Sequence, residues 1–208
     1  LLEEQYRMHE VIAGFSSQEF YGGKLKAASS VAHWRLLEDD APLQFIDTAG
    51  CGYEEVYEGT SISNPEEAQF LVKQVRDYVE RLEAVYNKES FPSIAVISPY
   101  RHQVEVLKEL VLADVDLQEF ASAFSVNTID SFQGQERDAV FISLTRSNAD
   151  STIGFLSDIR RMNVAMTRAR KKLVVVGDTA TLSQFSFYAD FIQYAQAHEG
   201  YQSAWELM

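Results

Sequence analysis

The chain has a single cysteine, Cys51, so it cannot close an internal disulfide, and no CxxC partner offers a metal site. That fits a reducing compartment and leaves Cys51 as a small filler near a glycine-containing turn. Long apolar runs are missing too, and the opening LLEEQYRMHE has no basic-then-apolar pattern, so neither a membrane span nor a signal peptide is read here. These absences point to the cytoplasm, or to the nucleus in a eukaryote. The four histidines, His9, His33, His102 and His198, lack ligand spacing, and no metal site is expected from them. Cations are in deficit, 18 Lys and Arg against 31 Asp and Glu, and a net charge of -13 argues against coating nucleic acid by bulk electrostatics. Two phosphate-binding patterns are also absent. Without GxxxxGK[ST] there is no loop for β- and γ-phosphates and no hydroxyl for magnesium, so this chain alone is not expected to hydrolyse ATP. Without GxGxxG at the start of a βα unit, a free-standing Rossmann-type enzyme is disfavoured.

What is present reads as one domain. The 208 residues, 46% apolar and 24% charged, suffice for one sizeable core, and no repeat or low-complexity segment interrupts them. Ile12, Phe15, Phe20 and Leu25 supply apolar anchors in the first segment, and Gly22 and Gly23 end the helix expected there. A strand is predicted over 43–46, and residues 50–63 read as a loop or irregular insertion. Asn64-Pro65-Glu66-Glu67 is a helix start, and Ala68, Leu71, Val72, Val75, Val79 and Leu82 carry that helix to about Glu83. Strands follow over 94–97, 125–129, 139–145 and 173–176. Between them, helices are marked by Val104, Leu107, Leu110 and Val111, and by Ile159, Met162, Ala165, Met166 and Ala169 after an Asp158 cap. A last helix carries Phe185 to Ala195, and the tail from Gly200 reads as a cover strip anchored by Tyr201 and Trp205. Alternating strands and helices imply an α/β fold with a mostly parallel sheet covered on both faces. Ligands in such folds sit at the carboxyl ends of strands, so the loops 98–100, 130–136 and 178–181 are expected on one rim.

Acid is clustered around Glu38, Glu54, Glu66 and Glu109, whereas residues 158–172 hold six cations against one acid: Arg160, Arg161, Arg168, Arg170, Lys171 and Lys172 beside Asp158. Basic residues near a helix C-terminus suit its macrodipole and need no further cause. Nucleic acid meeting one face only is equally compatible with the asymmetry. Gln5, Tyr6, Arg7 and His9 stand at the head of the first helix, where anions are favoured. Segments around Arg7 and Arg168 are thus of the kind that completes a phosphate site on a partner domain.

QYRMH, SPYRHQ, VNTIDSFQGQERDAVFISLTRSN and GFLSDIRRMNVAMTRARKKLVVVGD resemble, in that order, motifs IV, IVa, V and VI of superfamily 1 helicases. The resemblance is closest to the branch holding the nonsense-mediated-decay helicase, senataxin and the immunoglobulin-switch-region binding protein. It implies a three-layer αβα, RecA-like second helicase domain spanning 1–208, a P-loop NTPase fold without its own P-loop. A first RecA-like domain upstream would hold most of ATP and Mg2+. Arg168 then resembles the arginine finger on the γ-phosphate, Arg7 a second γ-phosphate ligand, Tyr6 the aromatic on the base with Gln5 beside it, and Glu136 the ribose ligand. Gly134 would let the backbone approach the nucleotide. Ser98, Pro99, Tyr100, Thr128, Arg146 and Ser147 would line the face toward a single strand of DNA or RNA, through phosphates rather than bases. The resemblance further implies a monomer moving 5' to 3'. Glu10 stands where the family often has proline. A helicase-like module kept for nucleic-acid or protein binding after loss of catalysis remains the alternative.

Overall fold

The computed structural model describes residues 3–132 and 134–208. Along the chain lie β1 (Glu4–Gln5), α1 (Glu10–Tyr21), β2 (Lys26–Ala27), β3 (Leu43–Asp47), β4 (Val56–Glu58), β5 (Ser61–Ser63), α2 (Pro65–Glu83), β6 (Ile94–Ser98), α3 (Arg101–Ala113) and α4 (Val115–Gln118). They are followed by β7 (Phe124–Thr128), β8 (Arg137–Ser143), α5 (Ile159–Met166), β9 (Ala169–Gly177), α6 (Thr179–Leu182), α7 (Ser186–Ala197) and β10 (Tyr201–Ser203). Six strands form one parallel sheet in the order β10-β3-β9-β8-β6-β7. Its central strands are the β-branched runs, buried on both faces as a doubly covered parallel sheet requires. One core packs α1, α5 and α7 against the sheet through Phe15, Met162 and Phe191, and the other packs α2 and α3 through Leu71, Val75 and Leu107. The fold is therefore the three-layer αβα, RecA-like arrangement.

Local chemistry sets the boundaries. Asn64 accepts the amide of Glu67 and Pro65 opens α2, while Gly22, at φ +59°, closes α1 in the left-handed conformation that glycine adopts without strain. Asp158 accepts the amide of Arg161 at the head of α5. Three expectations need correction. The 50–63 segment contains the antiparallel hairpin β4–β5, which turns at Gly59 with φ +62°. Its strands are short, and the three β4 residues are exposed, so no apolar alternation marks them. The tail is an edge strand rather than a cover strip: β10 pairs with β3 and Tyr201 stacks on Phe45, whereas Trp205 is 61% exposed. Ala169 belongs to β9, not to α5.

The single-rim expectation also fails, because of chain direction. In a parallel sheet every connection must return from the carboxyl ends to the amino ends. Among the described residues of the β7–β8 connection there is a short 3-10 turn at Asp130–Phe132, and Glu136 stands just before β8, at the amino end. The β8–β9 crossover descends through α5 and delivers Arg168 just before β9, at the same end. Ser98, Thr128 and residues 178–181 stay at the carboxyl ends.

Candidate nucleotide and strand sites

At the amino end, the backbone amide of His9 donates to the Arg170 carbonyl at the start of β9, which docks residues 5–9 beside Arg168. Gln5 shapes that segment: its side-chain oxygen accepts the amides of Arg7 and Met8 at 2.8 Å each, and its Nε2 donates to the Met8 carbonyl. His9 caps α1 by accepting the Val11 amide through Nδ1, and burial drives its pKa down to about 4. Arg7 Nε meets Glu136 at 2.7 Å. Arg168 is held by neutral acceptors, Nε to the Val164 carbonyl at 3.0 Å and Nη1 to the Gln135 carbonyl at 3.2 Å. Burial, and then the neighbouring Arg7 guanidinium, press the Arg168 pKa below its usual value, with Glu136 opposing them. The lining thus sets two guanidiniums, Arg7 and Arg168, against two carboxylates, Glu136 and the Glu4 turned to the Tyr6 hydroxyl, and the Arg168 charge, held by neutral acceptors, is the one placed for an anion.

Gln5, Tyr6, Arg7, Glu136 and Arg168 all line one pocket of about 630 Å³. Tyr6 is 67% exposed at its rim, with its hydroxyl on Glu4. Gly134 sits nearby in sequence at φ +81° with open space where a Cβ would stand, so glycine is needed there for backbone conformation rather than for room. Asn163, Val164 and Thr167 of the α5 end also line the pocket. Sequence reasoning passed over them, although Asn163 and Thr167, four apart beside Arg168, have the helical spacing that puts them on its face.

The carboxyl end is built differently. Of the six residues expected to face a strand, Ser98, Tyr100 and Arg146 are buried. Ser98 Oγ lies 3.0 Å from Thr145 Oγ1, and the Tyr100 hydroxyl donates to the Ile153 carbonyl and takes a bond from Arg146 Nη1. Arg146 forms a two-pronged pair with Glu55, Nε to Oε2 at 2.8 Å and Nη2 to Oε1 at 3.0 Å. Burial alone would raise the Glu55 pKa; donors from Arg146, Asn148, Tyr57 and the Ser147 amide outweigh it and hold the carboxyl below its usual range. Ser147 donates its hydroxyl to Asp178, and Thr128 shares a hydroxyl contact with Ser131. Pro99, Thr128 and Ser147 keep partial exposure.

Two carboxylates that the sequence reading passed over hold this rim. Glu55 lay in what read as an acidic loop, and Glu67 looked like an ordinary helix-start acid. Glu67 is fully buried, and its Oε1 accepts the Thr145 amide and the Ser143 hydroxyl. Thr145 has φ +72°, a conformation costly for a β-branched residue. Asn64 and Gln103 complete the network, through the Thr145 carbonyl and the Ser143 hydroxyl.

The remaining cations of the 158–172 stretch are assigned as well. Lys172 is buried against Asp40 at 2.7 Å, with the Ala41 carbonyl and Gln44 as further acceptors. Lys171 and Arg170 reach Asp138 and lie over the Trp34 ring. Arg161 pairs with Asp130 and Asp158, and Arg160 is exposed. Among the described residues no group of three or more His, Cys, Asp or Glu is arranged to hold a metal, and no helix is long and apolar enough to cross a membrane.

A parallel RecA-like sheet with an arginine-lined pocket at its amino end defines the class of domain. A family model described as an AAA domain matches residues 1–180, and the chain belongs to that family, as a second RecA-like domain of the superfamily 1 helicase type. Similar curated proteins include the DNA-binding protein SMUBP-2 of Mesocricetus auratus, 34% identical over 100% of this chain and 21% of that protein. The DNA polymerase alpha-associated DNA helicase A of Saccharomyces cerevisiae is 37% identical over 88% of this chain and 28% of its own length. Helicase SEN1 of the same yeast is 37% identical over 94% of this chain and 9% of its own length. The chain thus spans between 9% and 28% of the length of these relatives.

Proposed function

We propose that this chain is the second half of an ATP-driven helicase or translocase motor acting on single-stranded nucleic acid. The observation that carries the reading is the convergence of Gln5, Tyr6, Arg7, Glu136 and Arg168 on one pocket from three separated segments. In this reading ATP, with Mg2+, is held mainly by another RecA-like domain of the same protein and meets this pocket when the domains close. Arg168 supplies a guanidinium to the γ-phosphate, and its neutral carbonyl partners orient it without cancelling its charge. Arg7 is the second phosphate ligand. Its pair with Glu136 is half-exposed, with side chains 42% and 45% accessible, so it contributes little to stability and can be exchanged for a stronger anion, which frees Glu136 for a ribose hydroxyl. Gln5 holds the Arg7 loop and Tyr6 offers a ring to the base, with Gly134 keeping the facing loop in its left-handed turn.

The strand lies on the opposite rim in this reading. There Pro99, Thr128 and Ser147 meet phosphates, while Ser98, Tyr100 and Arg146 act from below by bracing the loops. An arginine supplied across a domain interface is worth roughly a thousandfold or more in rate. In the full-length protein, Arg168→Ala should therefore lower strand-stimulated ATPase by about that factor while ATP binding persists. Retained turnover refutes the assignment. A wild-type protein that binds a strand but turns over no ATP would instead be a helicase-like binding module.

A further inference from the structure

We infer that Phe155 is a base-stacking platform for single-stranded nucleic acid at the carboxyl rim, a contact additional to the phosphate contacts and resting on the motor reading above. Phe155 is 58% exposed, on the one-turn 3-10 helix Gly154–Ser157 that precedes α5. An exposed phenylalanine on a mobile loop would call for no explanation. This one is fixed from beneath. Tyr100, itself buried, meets the Phe155 ring edge-on at 5.7 Å and 61°, and its hydroxyl donates to the carbonyl of Ile153. Tyr188 donates to the carbonyl of Leu156 at 2.7 Å, and Ser157 closes the turn onto the Gly154 carbonyl. Gly154 has φ +50°, and a Cβ there would stand 2.4 Å from Arg146 Nη1 and 2.9 Å from the Tyr100 hydroxyl. The turn is thus pinned to the Arg146–Glu55 pair that braces the strand rim.

The rigid ring borders a concavity of about 440 Å³ whose far wall is the β4–β5 hairpin, through Thr60 and Ile62. The surroundings say what fits. A planar apolar body can lie on Phe155 over Ile62, the hydroxyls of Thr60 and Ser157 can meet polar edges, and Arg161 lines the same pocket together with its partner Asp158, with exposed Arg160 beside them in sequence. Arg161 pairs with Asp130 and Asp158, but those carboxylates are 65% and 50% accessible, so water already weakens the pairs and a phosphate can displace them. Flat π faces linked by phosphates, beside cations, describe successive nucleotides of a single strand, where stacking is indifferent to base identity. A folded protein partner would need a broader apolar patch than one ring and one isoleucine.

The test uses the full-length protein without nucleotide, a fluorescently labelled 20-mer of deoxythymidylate, the matching uridylate strand, and an abasic deoxyribose-phosphate strand of equal length. Phe155→Ala should weaken deoxythymidylate or uridylate binding about tenfold, since stacking is worth roughly 1–3 kcal/mol per base. Phe155→Trp should restore it, and on the abasic strand Phe155→Ala should match wild type. The platform is overturned if Phe155→Ala binds the base-bearing strands as tightly as wild type, or if it loses the same factor on the abasic strand. The underlying reading fails separately: wild type that binds none of the strands refutes both proposals, whereas an Arg168→Ala protein without ATPase alongside an indifferent Phe155→Ala refutes the platform alone.

Discussion

Replacing Glu67 by glutamine should change the pH dependence of stability in a direction fixed by burial. Glu67 is enclosed at the head of α2, and burial drives its pKa from 4.5 up to about 7 despite the donors on Oε1. Between those values the folded state holds a proton that the unfolded chain has released. Stability therefore falls as pH rises through this window: the contribution is fully present below pH 4.5 and lost by about pH 7. At about 1.4 kcal/mol per pH unit, the interval bounds the loss at about 3.5 kcal/mol, of which about 3 falls above pH 5. His9 runs the other way. Its pKa falls from 6.5 to about 4, so the folded state binds fewer protons there and stability rises between pH 4 and 6.5. The wild-type profile mixes the two, and only the difference between variant and wild type isolates Glu67. Glutamine keeps the acceptor for Ser143 and Thr145 but places an amide where Oε2 now has no partner, which costs about 1–3 kcal/mol at every pH. Urea denaturation of both proteins from pH 5 to pH 8 should show the variant gaining on wild type by up to about 3 kcal/mol, or roughly 6–12 °C in melting temperature for a chain of this size. A difference independent of pH would refute the reasoning.

Lys172→Met should destabilise by up to about 3–5 kcal/mol in urea denaturation, because it removes the buried partner of the Asp40 carboxylate and leaves it the longer pair with the half-exposed Arg81 at 3.7 Å. Adding Asp40→Leu should recover part of that loss, and equal stability of wild type and Lys172→Met would contradict the buried pairing. Gly154→Ala should cost at least about 1 kcal/mol from its positive φ alone, and more because the new methyl group must displace Arg146 or Tyr100. A melting temperature matching wild type would show that the turn is not pinned.

The fold was legible wherever one signal governed one element. Asn64-Pro65 predicts the start of α2, and its apolar spacing runs to Glu83, where the helix ends. The runs 94–97 and 173–176 are strands because apolar β-branched residues buried on both faces have no other comfortable place in an α/β domain. Legibility failed where the outcome depended on where a connection goes. The rule that ligands gather at carboxyl ends placed Asp130 and Glu136 together, yet Asp130 follows β7 at the carboxyl end and Glu136 precedes β8 at the amino end, and nothing local in DSFQGQE encodes that separation. The candidate nucleotide residues could be named from their motifs, but not their meeting place: Arg7 and Glu136 are 2.7 Å apart across a sequence separation that no periodicity bridges. The same reasoning explains the buried strand-side residues. Ser98, Tyr100 and Arg146 look like surface ligands in sequence because serine, tyrosine and arginine usually reach water. They turn inward here because tertiary contacts give them partners: Glu55 for Arg146, the Ile153 carbonyl and Arg146 for Tyr100, and Thr145, itself held by Glu67, for Ser98. A buried arginine without Glu55 would be costly, so the two positions constrain each other, and neither alone reveals the pair. Opposite ends of one sheet thus carry the two sets of candidate residues, and α5 is the element between them, with Phe155 just before it and Arg168 just after it.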